Sequence, residues 1–279
     1  MRLGAAGECI GARSGREMPM TEDTSGWLTE RYLRLPDGSF PHLGVRDGDV
    51  AAVALLSGSP ERVELMAGML DNAEQVGDRR GYAVFTGSLG GAGLSVATSG
   101  VGSPSMAIAV EELAACGASC FIRVGSCAAL SPRMPVGAIA VATGAVSDEG
   151  TSRYYAPGNF PPVASHRVTA ALVAAAARRG TPVQVGLTRS TDSFYEGERT
   201  TEVIRRWKDL GVLAFEMETS CLFTAAAALG CEAGSVLCAG SDLLTGEATY
   251  QGDRLEEYAA GQQAMLEFAL AAAADLARS

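Results

Sequence analysis

The sequence predicts an α/β protein built on one central, largely parallel or mixed sheet, and three observations carry that prediction. Short apolar runs alternate with helix-spaced segments along most of the chain. The junctions between them are rich in Gly, Ser and Pro, which stop one element and start the next. The chain has 279 residues and is 47% hydrophobic, enough to bury one large core in a single domain rather than two.

Residues 1–38 are rich in Gly, Arg, Glu and Thr and show no apolar period, so they read as a flexible extension ahead of a domain over 39–279. "VAAVALL" (50–56) reads as a buried strand and "SPERVELMAGMLD" (59–71) as a helix, with Ser59 as N-cap and Pro60 at the first helical position. "GYAVFTGSL" and "GLSVATSG" read as two strands around a Gly-Gly turn. "SPSMAIAVEELAACG" (103–117) is a second helix with the same Ser-Pro start and a Gly stop. "CFIRVG", "AIAVATGAV" and "VQVGLTRST" read as further strands. "TSCLFTAAAALG" is a third helix, "GSVLCAGSD" the last strand, and the Ala-rich tail from Leu255 a terminal helix.

Composition excludes several functions. A net charge of -10 argues against a nucleic-acid groove, which needs a basic field. No apolar run reaches the roughly 20 residues of a membrane span, and the first 20 residues lack the apolar region of a secretory signal. The seven cysteines are an odd number without a CxxC pair, as expected of reduced thiols in a cytoplasmic protein. Only two histidines are present, His42 and His166, and neither has neighbours that suit zinc.

In such folds ligands sit where strands end and helices begin. Five junctions stand out: "SGSPER", "TSGVGSPS", "RVGSCAA", "STDSFYEGER" and "AGSDLLTG". Gly58 lets backbone amides approach a ligand at the positive start of a helix, and Arg62 adds a full charge in its first turn, although a surface arginine alone would look the same. Arg123 closes an apolar run and must find an anion or water. Together with Arg80 and the hydroxyl of Ser126, these arginines would make a phosphate cradle. Glu216 and Glu218 follow the apolar run "VLAF": they suit the adjacent hydroxyls of a ribose, or a helix N-terminus whose dipole they complement. Asp242, at the end of a strand, suits a general acid if burial raises its pKa, or the cap of the next turn.

Taken in order, "GSPER", "RRGYAVFTG", "SGVGSPSMAIAVEEL", "IRVGSCAA", "FEMET" and "GSD" resemble the nucleoside phosphorylase family, which includes bacterial purine nucleoside phosphorylases and uridine phosphorylases. The resemblance covers about residues 40–275 and is closest to the bacterial purine type. It implies a single α/β domain whose mixed sheet is partly closed into a barrel and flanked by helices. It also implies phosphorolysis of a nucleoside to free base and ribose 1-phosphate, without metal or organic cofactor. By position, Gly58, Arg62, Arg123 and Ser126 match phosphate-binding residues. Arg80 and His42 match an arginine and a histidine donated by a neighbouring subunit, so shared sites in a homo-oligomer, dimer-based and up to a hexamer, are implied. Met217 and Glu218 match ribose-binding positions, Glu216 lies beside the base, Phe194 matches the aromatic packing on it, and Ser241, next to the acid, counts with them as nucleoside-binding. Asp242 matches the acid that protonates a purine ring nitrogen, and Arg254 the arginine that assists it, displaced by about one residue.

The base is expected to be a purine on the strength of Asp242, "RVGSC" and "RRGYAVFTG". "DSFYEGER" instead is similar to the uridine enzymes, which bind uracil through a Gln and an Arg there; here Glu198 and Arg199 stand, and the Gln is missing. Ser59, Val101 and Ala128 replace the family's frequent Asp, Met and Gly, so a modified nucleoside is a further expectation. A nucleosidase using water and a non-catalytic nucleoside-binding protein are the other classes the fold would serve.

Overall fold

The computed structural model describes residues 32–279 except Glu196, Glu198 and Arg199. The extension expected over 1–38 therefore lies outside the described residues as far as position 31, as do the two base-contact candidates Glu198 and Arg199. Arg34–Ser279 forms one compact unit.

Nine described strands form one sheet: β1 (Val53–Ser57), β2 (Asp71–Arg79), β3 (Tyr82–Leu89), β4 (Ala92–Thr98), β5 (Cys120–Ala129), β6 (Ile139–Asp148), β7 (Val183–Thr191), β8 (Ala214–Glu216) and β9 (Glu232–Asp242). The order is β2-β3-β4-β1-β5-β8-β7-β6-β9, and β9 also pairs with β5. That extra pairing closes β5, β8, β7, β6 and β9 into a five-stranded barrel and leaves β1–β4 as an outer wing. The barrel is mixed: β5 runs parallel to β9 and antiparallel to β8. β5 belongs to both parts and is buried over nearly its whole length, which is why it reads as an unbroken apolar run interrupted by one arginine.

Six described helices flank the sheet: α1 (Pro60–Ala67), α2 (Ser103–Ala115), α3 (His166–Arg178), α4 (Thr200–Asp209), α5 (Thr219–Ala228) and α6 (Leu255–Arg278). α3 and α6 pack together, as do α2 and α5. Leu172 of α3, Phe268 and Leu270 of α6, and Val63 and Met66 of α1 join Leu55, Val96 and Ile122 in one buried cluster. No described helix is long and apolar enough to cross a membrane.

Ser59 caps α1 as expected, its Oγ accepting the Arg62 N–H at 3.3 Å, with Pro60 opening the helix. The helix does not run to residue 71. It stops at Ala67 with Gly68 as C-cap, and Asp71 begins β2. α2 starts from Gly102 rather than from a serine cap; the Ser103 hydroxyl donates instead to the Met217 carbonyl at 2.9 Å. The expected Gly stop is in place: Gly117 has φ +109°, a conformation L side chains rarely adopt. β2, α3, α4 and β8 have no counterpart in the expectations. β2 is an exposed edge strand written almost entirely in polar residues, and β8 has three residues.

One contact fixes the start of α6. A Cβ on Gly261 would lie 2.0 Å from the Gly137 carbonyl oxygen, so helix and loop meet backbone to backbone. The first turns of α6 are thereby pressed against the end of the barrel.

Candidate active site

All five junctions singled out in the sequence line one cavity of about 480 Å³ at the ends of the barrel strands. Gly58, Ser59 and Arg62 come from the first, Val101 from the second, Arg123 and Gly125 to Ala128 from the third, Thr191, Ser193 and Phe194 from the fourth, and Gly240, Ser241 and Leu243 from the fifth. Phe215 and Glu216 of β8, with Met217 and Glu218 leading into α5, complete the wall.

Arg123 is the buried centre of this wall. Its Nε donates to Glu216 Oε2 at 3.1 Å and its Nη2 meets Glu218 Oε2 at 2.6 Å. Burial works against the guanidinium charge, but Glu218 and Glu216 outweigh it and hold the pKa above its ordinary value. Gly125 makes room for this arrangement: a Cβ there would sit 2.7 Å from Arg123 Cζ.

The two glutamates hold different partners. Glu216 is a helix cap: its Oε2 also accepts the Glu218 and Thr219 N–H groups of α5 at 2.9 Å each, and Ser190 Oγ donates to its Oε1. Its carboxylate is thus committed to Arg123 and to the start of α5. Glu218 accepts the Gly102 N–H at 2.5 Å on Oε1 and Arg123 on Oε2. Burial, helped by the Glu216 charge, pushes the Glu218 carboxyl up against the pull of Arg123. Glu218 and Met217 face the cavity together.

Arg62 reaches the same cavity from the first turn of α1 and is also buried. Its Nη1 donates to Ser57 Oγ at 3.1 Å and to the Val124 carbonyl at 3.3 Å. Its Nε and Nη2 share Gln262 Oε1, each at 3.1 Å, and Nη2 also donates to the Tyr258 hydroxyl at 3.1 Å. Gly58 approaches backbone closely: a Cβ there would meet the Gly100 carbonyl oxygen at 3.0 Å. Ser126 lines the cavity beside Gly125. At the mouth, Phe194 packs edge-on against Tyr250, with ring centroids 6.2 Å apart.

Four residues named from the sequence do not line this cavity. Asp242 Oδ1 accepts the Leu244 N–H at 2.8 Å and the Thr245 N–H at 3.4 Å, the turn-cap role. Arg254 pairs with Glu257 at 2.6 Å and with Glu247 at 3.5 Å, in solvent. His42 Nδ1 bonds Glu112 Oε1 at 2.6 Å. Arg80 is exposed at the tip of the β2–β3 hairpin, with φ +50°.

Sequence reasoning missed Phe215, Tyr250, Tyr258 and Gln262. The first two are aromatic residues of loops and short elements that periodicity cannot mark. Tyr258 and Gln262 did leave a signal: they stand four apart, on one face of a helix that is otherwise Ala-rich.

The family model described as the phosphorylase superfamily matches residues 52–277. A uridine phosphorylase from Thermococcus kodakarensis is 38% identical over 229 residues, covering 78% of this chain and 83% of its own. A guanosine phosphorylase from Halorubrum lacusprofundi is 38% identical over 206 residues, covering 74% of this chain and 85% of its own. Among solved structures, a uridine phosphorylase from Vibrio fischeri superposes with a TM-score of 0.80 at 32% identity, over 86% of this chain and 98% of its own.

Proposed function

Since this chain belongs to the phosphorylase superfamily and is a nucleoside phosphorylase, we propose that its nucleoside is a pyrimidine one, uridine, cleaved to uracil and ribose 1-phosphate. The observation that carries this reading is the orientation of Asp242. A purine leaves well only when its five-membered-ring nitrogen is protonated or hydrogen-bonded. The residue expected to do so turns its carboxylate to the amides of Leu244 and Thr245 instead. Uracil needs no such acid, because its carbonyl oxygens spread the charge. The uridine phosphorylases among the relatives support the same choice. A purine base is the second reading, and the guanosine phosphorylase of equal identity favours it.

In the proposed reaction, Ser126, the free edge of Arg123 and the amides around Gly58 hold phosphate beside the charge of Arg62, whose five N–H groups are bonded to Ser57, Val124, Gln262 and Tyr258. Glu218 and Met217 hold the ribose, so that phosphate faces its anomeric carbon. Fixing the two reactants removes most of the entropy cost of their encounter. The glycosidic bond breaks with positive charge developing on the sugar, which the phosphate charge stabilises, and phosphate oxygen then bonds to the anomeric carbon. The two electrons of the broken bond leave with the base. Arg123 links the parts: its charge serves the anion while its ion pairs orient Glu218 towards the ribose.

The test is base release from uridine, guanosine, inosine and adenosine, with and without phosphate. Uridine should turn over fastest, and only with phosphate. Fastest release from a purine nucleoside overturns the base assignment, and phosphate-independent release overturns the phosphate site. Asp242→Asn should leave uridine turnover within a few-fold of wild type, whereas a general acid would lose about 10²–10⁴-fold.

A further inference from the structure

We propose that Tyr258 is a further phosphate-binding group of this site, an inference that rests on the phosphorolysis assigned above. Arg62 can only donate hydrogen bonds. The Tyr258 oxygen must therefore be the acceptor in its 3.1 Å contact with Arg62 Nη2. A phenol carries one proton, and that proton points away from the arginine. Tyr258 lines the cavity together with Ser126, whose hydroxyl also hydrogen-bonds the phenol; with Ser126 as the donor in that bond, the phenol proton is left for an anion in the cavity.

The ring is held in place to do this. A Cβ on Gly240 would touch Tyr258 Cε2 at 3.5 Å, so the ring lies flush on the floor formed by β9. Gln262, one turn further along α6, takes Arg62 Nε and Nη2 on a single oxygen. The helix thus supplies two neutral acceptors that orient the arginine without cancelling its charge. A carboxylate in either place would compete with an incoming anion; a phenol and an amide do not. Burial pushes the Tyr258 phenol above its ordinary pKa, so it stays a donor at neutral pH. A cationic guanidinium and a neutral phenol, bonded to each other and facing one cavity, suit a dianion better than they suit a neutral sugar or base.

The decisive variant is Tyr258→Phe, assayed with phosphate and uridine each varied at saturating partner. Losing one hydrogen bond to a charged group should raise the phosphate KM by about 10- to 100-fold. The uridine KM and kcat should stay within about twofold of wild type. An unchanged phosphate KM overturns the inference, and so does an equal rise in both KM values, which would indicate a general loosening of the cavity. Wild-type base release that ignores phosphate sinks the underlying assignment rather than this one, so the two failures are distinguishable. A second measurement uses the unmodified protein and therefore holds if the variant does not fold. Adding phosphate should perturb the ultraviolet difference spectrum in the tyrosine band, and a flat spectrum at saturating phosphate counts against the phenol contact.

Discussion

At the scale of single residues the site hangs on Arg123 and on the glycine that makes space for it. The guanidinium is the flexible end of a side chain, so a methyl 2.7 Å away would ordinarily push it aside at little cost. Here two buried carboxylates pin it from the other side. Gly125→Ala therefore has to displace either the arginine from its glutamates or β5 from β9. Steady-state kinetics should show kcat/KM for phosphate falling at least about 100-fold, the usual cost of an ångström-scale misplacement. A variant with wild-type kinetics would mean that the pair Arg123–Glu218 does not position the reactants. Much of this was legible in the sequence, because an arginine ending an apolar run, followed by Gly and Ser, has few bland explanations. The pair Glu216 and Glu218 was only half legible. The helix-terminus role falls to Glu216, whose Oε2 takes the amides at the start of α5, but spacing does not say which of the two carboxylates does so. Asp242 shows the same limit: a strand-end aspartate writes acid and turn cap identically, and its Oδ1 here accepts the amides of the following turn.

At the scale of elements, β1, β5 and β9, whose ends carry much of the site, were readable because they are buried on both faces and bounded by small residues. The unread ones lack that mark: β2 is polar, and β8 is a three-residue bridge that needs its partners to exist. Helix α6 was readable as a helix but not as part of the site. Its contribution depends on the contact with the Gly137 loop, where a Cβ on Gly261 would lie 2.0 Å from a carbonyl oxygen. That oxygen is backbone and cannot swing away. Gly261→Ala should therefore lower stability by about 1–3 kcal/mol, the usual range for overpacking. It should also raise the phosphate KM, because Tyr258 and Gln262 move with the helix. Thermal unfolding and phosphate titration of the same sample check both. A destabilised variant with an unaltered phosphate KM would uncouple α6 from the arginine it holds.

At the scale of the whole molecule, one chain does not bring together every group that the resemblance assigns to a site. His42 and Arg80 stand away from the cavity of their own chain. His42 is tied through Nδ1 to Glu112 of α2 and is only partly buried, and Arg80 projects from an exposed hairpin tip. Both features make sense if a second copy receives them. The cavity of one protomer would then be completed by the hairpin and the His42 loop of its neighbour, in a dimer-based homo-oligomer. Mixing two inactive variants tests this directly. Arg80→Ala should spoil the group given to the neighbour, and Glu218→Gln the group kept at home. If sites are shared across a two-fold axis, a mixed dimer holds one doubly altered site and one intact site. Statistical reassembly of equal amounts should then recover roughly a quarter of the wild-type sites. Recovery depends on subunit exchange, so it should appear only after dissociation and reassembly, and dilution of the wild type to monomer should abolish its activity. A fully active monomer in sedimentation, or exchange that yields no recovery, would mean that each chain completes its own site.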